Sequence, residues 1–138
     1  LSHLVFVDAL ALLTGERVPD ITQRRTPYET TASATGPSRA DVEQRLFADL
    51  APADRTWALQ RYTPHPTEAL DGLVRLDSFW EHAWRATVIR CRRSVNPPEA
   101  HQRRTAERLN ATWLELDSGH YPMLTHSEEI TRILLSVL

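Results

Sequence analysis

The sequence predicts an α/β fold with a parallel sheet, and three observations lead there. Residues 2–9 (SHLVFVDA) form a continuous apolar run with β-branched and aromatic residues, closing at Asp8. That is how a strand covered on both faces reads. Two more strand-like segments follow much later, ATVIRC at 86–91 and TWLELD at 112–117, and helical periodicity separates and follows them. Strands alternating with helices argue for parallel pairing through crossover connections. The expected strands thus lie at about 3–8, 86–91 and 112–117.

Composition agrees with this class. With 41% hydrophobic residues and 25% charged residues in 138, the chain can bury a core, so disorder and collagen-like repeats are excluded. A net charge of −2 excludes a nucleic-acid binder working by bulk positive charge. The longest apolar runs are too short to span a bilayer, and no signal-peptide pattern opens the chain. Cys91 is the single cysteine, so no intrachain disulfide can form. These features lead to the expectation of a cytoplasmic protein without a membrane or nucleic-acid partner.

Between the first two strands the text is irregular. Residues 13–39 turn polar, with Gly15, Pro19, Pro27, Gly36 and Pro37 as breakers, and read as a long loop. Ser38 or Arg39 opens a helix placing Val42, Leu46, Phe47 and Leu50 on one face. Pro52 starts another, with Trp57, Leu59 and Tyr62, which stops before Pro64 and Pro66. A brief aromatic helix is expected around 77–84. After the second strand, Asn96-Pro97-Pro98 starts a helix running to about Leu109, with Glu99 early and Arg103, Arg104 and Arg108 late, as the helix dipole favours. Thr125-x-x-Glu128 has the form of a capping box for a final helix striped by Ile130, Ile133, Leu134 and Val137.

The most informative text is the ending LELDSGHYPMLTHSEEI: a strand, Gly119-His120, a short loop, an acidic helix start and a helix. It resembles the segment around the catalytic histidine of α/β-hydrolases. The whole chain resembles the C-terminal part of that fold, in the branch of small esterases related to plant methylesterases and hydroxynitrile lyases. On that resemblance residues 1–12 and 86–138 belong to the hydrolase core, and 13–85 form a lid insert. The first strand is then the one after the nucleophile's helix, and 86–91 is the penultimate strand.

The resemblance implies that His120 is the general base. Independent chemistry supports it: a histidine just past a strand's C-terminal end sits where open α/β sheets place their sites. Imidazole titrates near neutrality, so it can take a proton from a serine and return it to a leaving group. His126, inside the expected capping box, reads as structural. The acid of much of the family follows the penultimate strand, where this chain has Ser94. A hydroxyl orients an imidazole without stabilising the imidazolium as a carboxylate does. Asp8, closing the preceding strand, is the candidate acid, with a turn-capping carboxylate as the alternative; Asp77 and Asp117 are weaker candidates.

The nucleophile is missing. The family carries it in a Gly-x-Ser-x-Gly elbow, and Gly15, Gly36, Gly72 and Gly119 are too far apart to form one. The oxyanion-hole loop is absent from these residues as well. Tyr121, Trp57 and Trp84 are candidates for lining an apolar pocket, with Tyr28, Tyr62 and Trp80 as further aromatics of the insert; plain core packing is the competing reading. Cys91 reads as a small buried hydrophobe. The six histidines show no carboxylate-backed spacing for a metal, and no cofactor is implied. The arginines at 90, 92, 93, 103, 104 and 108 read as a salt-bridged surface.

The leading functional expectation is therefore the C-terminal part of a serine hydrolase acting on an ester, lactone or thioester of a small apolar substrate. The alternative is a non-catalytic binding or interaction module with a hydrolase-like fold. Hydroxynitrile-lyase chemistry typically uses a lysine near the base, and the chain has no lysine. In the sheet that the resemblance implies, the first strand lies between the penultimate strand and the nucleophile's strand, and without the latter an open apolar edge is expected beside it. A missing N-terminal half, a second chain or a homo-oligomer mate is the partner that edge calls for.

Overall fold

The computed structural model describes residues 3–22 and 27–137; residues 1, 2 and 138 at the ends of the chain, and 23–26 within the expected loop, lie outside it. Its central layer is a three-stranded parallel sheet in the order β1-β5-β6, formed by Leu4–Val7, Ala86–Cys91 and Thr112–Leu116. β1 pairs with β5 in the register Leu4 to Ala86 through Val7 to Ile89, and β5 pairs with β6 from Thr87–Thr112 to Cys91–Leu116. All three expected strands are present, each within a residue of its expected ends.

The burial of β5 explains its composition. It is the middle strand, flanked on both edges and covered on its faces, so Ala86, Val88, Ile89 and Cys91 are buried. Ile89 joins Leu116 and Ile130 in an apolar cluster, with Val5, Val7, Leu114 and Ile133 packed against it. The one charge, Arg90, reaches the rim and pairs with Glu99 at 3.0 Å and Glu115 at 3.5 Å. In β1, the side facing away from β5 has no strand partner among the described residues.

Helix α6 (Glu99–Leu109) lies against β5 with His101, Gln102, Thr105, Ala106 and Leu109 buried, one face of a 3.6-residue period. Asn110 ends it in the left-handed region, where its N–H reaches the carbonyls of Ala106 and Glu107. The final helix α8 (Ser127–Ser136) is preceded by a separate turn, α7 (Pro122–Thr125). The expected Thr125–Glu128 capping box does not form. His126 holds the cap position, and its Nδ1 lies 2.8 Å from the Thr125 hydroxyl, which the extra turn has drawn away from the helix start.

The β1–β5 connection is more structured than its polar text suggests. α1 (Val18–Ile21) stands within the stretch expected to be loop. A small antiparallel sheet pairs β2 (Glu29–Thr30), β3 (Ala34–Gly36) and β4 (His65–Pro66). Strands of two or three residues are too short to show an alternating pattern, so the sequence hides them. Ser38 caps α2 (Arg39–Asp41), its hydroxyl accepting from the Asp41 N–H at 3.1 Å. The helix then widens into a π-turn over Val42–Leu46, closed by the Phe47 N–H on the Val42 carbonyl. α3 (Pro52–Arg61) starts on its proline as expected. Val42, Phe47, Leu50, Ala58 and Leu59 form a second apolar cluster. α4 (Thr67–Asp71) and α5 (Asp77–Glu81) complete the connection.

Candidate active site

Asp8 and His120, 112 residues apart, meet at the C-terminal ends of β1 and β6: the Asp8 Oδ2 lies 2.7 Å from His120 Nδ1. Their meeting follows from the turn after β1. The Asp8 N–H continues the ladder by donating to the Ile89 carbonyl at 2.8 Å, and then its φ of 44° turns the chain out of the strand direction. A left-handed conformation costs a non-glycine residue about 1–2 kcal/mol, least for Asp and Asn. The conformation holds the carboxylate back against the ends of β5 and α6.

The Asp8 residue is 1% exposed, and a buried carboxylate is costly unless its oxygens are satisfied. Oδ1 accepts from the Gln102 side-chain amide at 2.8 Å and from the Cys91 N–H at 3.4 Å, leaving Oδ2 to the histidine. Gln102 also donates to the Pro97 carbonyl at 3.0 Å, so the amide is fixed on both sides. Two separate elements, α6 through Gln102 and β5 through Cys91, thus hold one carboxylate against one imidazole. Such a carboxylate selects the tautomer with hydrogen on Nδ1 and leaves Nε2 to exchange a proton.

His120 stands on the loop after β6. Its side chain is 31% exposed, and its ring stands in a T-shaped contact with the Tyr121 ring, centroids 4.9 Å apart. The preceding Gly119 N–H donates to the Asp49 Oδ2 at 2.8 Å. Tyr121 in turn packs on Phe47 at 5.1 Å, and burial pushes its phenol pKa up.

A cavity of about 440 Å³ opens beside the pair, walled by Asp8, His120, Tyr121, Tyr28, Tyr62 and Arg45 among others. Tyr121 therefore lies where the sequence placed it, and Tyr28 and Tyr62 join it. Trp57 and Trp84 do not. Trp57 is 49% exposed on α3 with the Arg61 guanidinium over its ring. Trp84 packs against Phe79 and His82, its indole N–H on the Phe79 carbonyl. Neither tryptophan lines this cavity, because α3 points Trp57 outward and α5 keeps Trp84 in a local aromatic cluster. Trp80 is likewise spent elsewhere, donating to the Leu12 carbonyl at 2.9 Å.

The other candidates fall into structural places. The Ser94 hydroxyl donates to the Asn96 carbonyl at 2.9 Å instead of reaching His120. Asp117 is exposed and faces Arg92 and Arg93, and Asp77 stands in the first turn of α5. Cys91 is fully buried; burial pushes its thiol pKa up to about 11, with the Ser118 hydroxyl opposing, so the thiolate nucleophile is disfavoured. Among the described residues no group of three His, Cys, Asp or Glu is placed to hold a metal. Two residues of the site were missed, Gln102 and Asp49. Gln102 had a faint signal as a long polar side chain on the buried face of a helix; Asp49, between Phe47 and Leu50, had none.

No protein-family model matches the chain, and no curated protein matches it in sequence. Among solved structures it is similar to an extracellular α/β-hydrolase from a Paenibacillus species, described as sharing structural and functional homology with tobacco salicylic acid binding protein 2. The identity is 14% and the TM-score 0.77, covering 99% of this chain and 61% of that one. The chain thus spans less than two thirds of the hydrolase it matches. With its element order of strand, long connection, strand, helix, strand and closing helix, the chain has the α/β-hydrolase fold, as the C-terminal portion of it.

Proposed function

We propose that this chain supplies the acid–base pair of a serine hydrolase that cleaves an ester, lactone or thioester of a small apolar substrate. The observation that carries the reading is the buried Asp8 carboxylate, held by Gln102 and the Cys91 N–H, on His120 Nδ1 beside a cavity. In this reading His120 takes the proton of a serine through Nε2 and delivers it to the leaving group. Asp8 stabilises the imidazolium in between, which is the role Ser94 could not fill. The serine and its oxyanion donors come from residues outside these 138, beside the edge of β1 that has no strand partner among the described residues. The β1–β5 connection serves as the cap, with Tyr28, Tyr62 and Tyr121 as aromatic walls. The binding partner named in the description of the similar hydrolase supports a small aromatic acid moiety in such a pocket.

The test is ester turnover by the intact protein. Asp8→Asn is expected to lower kcat by about 10⁴-fold and His120→Ala by about 10⁶-fold, as in other triads. A phosphonate probe should label a serine outside the present residues. Unchanged turnover in His120→Ala would overturn the reading. Absence of any Gly-x-Ser-x-Gly serine from the intact protein would favour the non-catalytic binding module instead.

A further inference from the structure

We infer that Asp49 is a positioning residue for His120, and that through it the β1–β5 connection holds the histidine loop in register with Asp8. The functional meaning of this rests on His120 being the base proposed above; its geometric content does not.

Asp49 sits on a turn that is itself immobilised. Its neighbours Phe47 and Leu50 are buried in the apolar cluster of the connection. One arginine, Arg55, donates to three carbonyls of the turn, those of Phe47 at 3.1 Å, Ala48 at 2.8 Å and Leu50 at 3.0 Å. From this fixed base the carboxylate reaches across to the Gly119 N–H at 2.8 Å. An N–H donating to a carboxylate makes a stronger bond than one donating to a neutral acceptor.

Gly119 is shaped for the contact. A Cβ built at this position would collide with the Asp49 carboxylate, so the space a side chain needs is taken by the acid. This close approach, and no special backbone angle, is what calls for glycine here.

The rest of the loop is tied to the sheet: the Arg93 N–H donates to the Ser118 carbonyl at 3.1 Å and the Arg93 guanidinium to the Asp117 carbonyl at 2.8 Å. Those bonds hold the loop up to residue 118. The Asp49 bond grips the other side of the same Ser118–Gly119 peptide, one peptide short of His120, and among the described residues it is the hydrogen bond to this loop that comes from the β1–β5 connection. A second cavity of about 480 Å³, bordered by Asp49, Arg93, Gly119 and His120, runs along this junction, so beside Gly119 itself the bond has open space around it, and the Tyr121 ring on Phe47 is the further contact between connection and loop. A displacement of residues 47–50 is therefore passed to Gly119, and from there to the distance between His120 and Asp8.

The test uses the intact protein labelled with 13C′-serine and 15N-glycine, since Ser118-Gly119 is the sole Ser-Gly pair among the four glycines of this chain. Asp49→Ala is expected to speed exchange of the Gly119 amide by roughly tenfold, the effect of losing one charge-assisted hydrogen bond. It is also expected to broaden or shift the low-field Nδ1–H signal of His120, which a purely structural staple would leave alone. Asp49→Asn, which keeps an acceptor oxygen and the shape, should restore most of the protection. Gly119→Ala, which evicts the carboxylate from the opposite side, should reproduce the change in the His120 signal. In turnover, Asp49→Ala should lower kcat with KM little changed. An unaltered Gly119 exchange rate and His120 signal in Asp49→Ala would overturn the inference, as would an Asn variant as unprotected as the Ala variant. Neither readout depends on turnover, so a failure of the proposed activity is told apart from a failure of this coupling.

Discussion

The sheet layer and the β1–β5 connection each bury an apolar cluster, one around Ile89, Leu116 and Ile130 and the other around Val42, Phe47, Leu50, Ala58 and Leu59. They do so by different means. The sheet cluster is assembled from three strands and a helix far apart in sequence, locked by paired backbone ladders. The cluster of the connection draws on eighteen consecutive residues, 42–59, and is held by local turns, a π-turn and the Arg55 side chain. Asp8 and Gln102 stand on the sheet layer, whereas Asp49, Arg45 and the cavity tyrosines Tyr28 and Tyr62 stand on the connection. His120 is where the two meet.

The largest effects are expected from emptying each cluster in turn. Phe47→Ala is expected to cost about 3–5 kcal/mol and Ile89→Ala about 2–5 kcal/mol, the usual range for large-to-small core changes. Native-state hydrogen exchange should show Phe47→Ala loosening residues 39–61 while the amides of β5 stay protected. Ile89→Ala should accelerate exchange throughout. Equal acceleration everywhere in both variants would show one cooperative unit and cancel the distinction.

A smaller effect follows from the seam between α6 and the segment after β1. His101 is buried, its Nε2 facing the Ala11 N–H at 3.0 Å and its Nδ1 facing the Arg104 guanidinium at 3.1 Å. Arg104 also holds Glu16 at 2.5 Å. Burial first, and the Arg104 charge second, push the His101 pKa below its ordinary value near 6.5. The unfolded chain therefore binds a proton that the folded one refuses, and stability is lost as pH falls below about 6.5. Chemical denaturation at pH 7.5 and 5.5 should show a loss on acidification that is smaller in His101→Gln. An equal loss in both would remove His101 from the account.

The smallest effect belongs to the surface arginines. Arg103 pairs with Glu99 one helical turn away and lies over the Trp113 ring, but its side chain is 50% exposed. Arg103→Ala should change the unfolding free energy by about 1 kcal/mol or less, because water and salt screen exposed pairs. A larger loss would mean that the cation over the tryptophan matters more than the ion pair.

Legibility followed the same division. β5 was readable to the residue because a middle strand is apolar on both faces, and α6 because one side of it is buried for three turns. The tiny strands β2, β3 and β4 left no period to read. Thr125 and Glu128 carried the right letters for a cap, yet α7 took the hydroxyl out of position. Of the aromatics, composition offered six alike, and only the packing of α3 and α5 separated Tyr28, Tyr62 and Tyr121 from Trp57, Trp80 and Trp84.

By itself the sequence determined the class of fold, the three parallel strands, and the histidine and aspartate at their ends. It could do so because burial pattern and strand-end chemistry are local properties. Only the tertiary structure decided that Asp8, and not Ser94, meets the imidazole, that Gln102 holds that carboxylate, and that Asp49 fills the space beside Gly119. Those contacts span 112, 94 and 70 residues, and no local preference encodes which of two polar groups a folded chain will bring within hydrogen-bond reach.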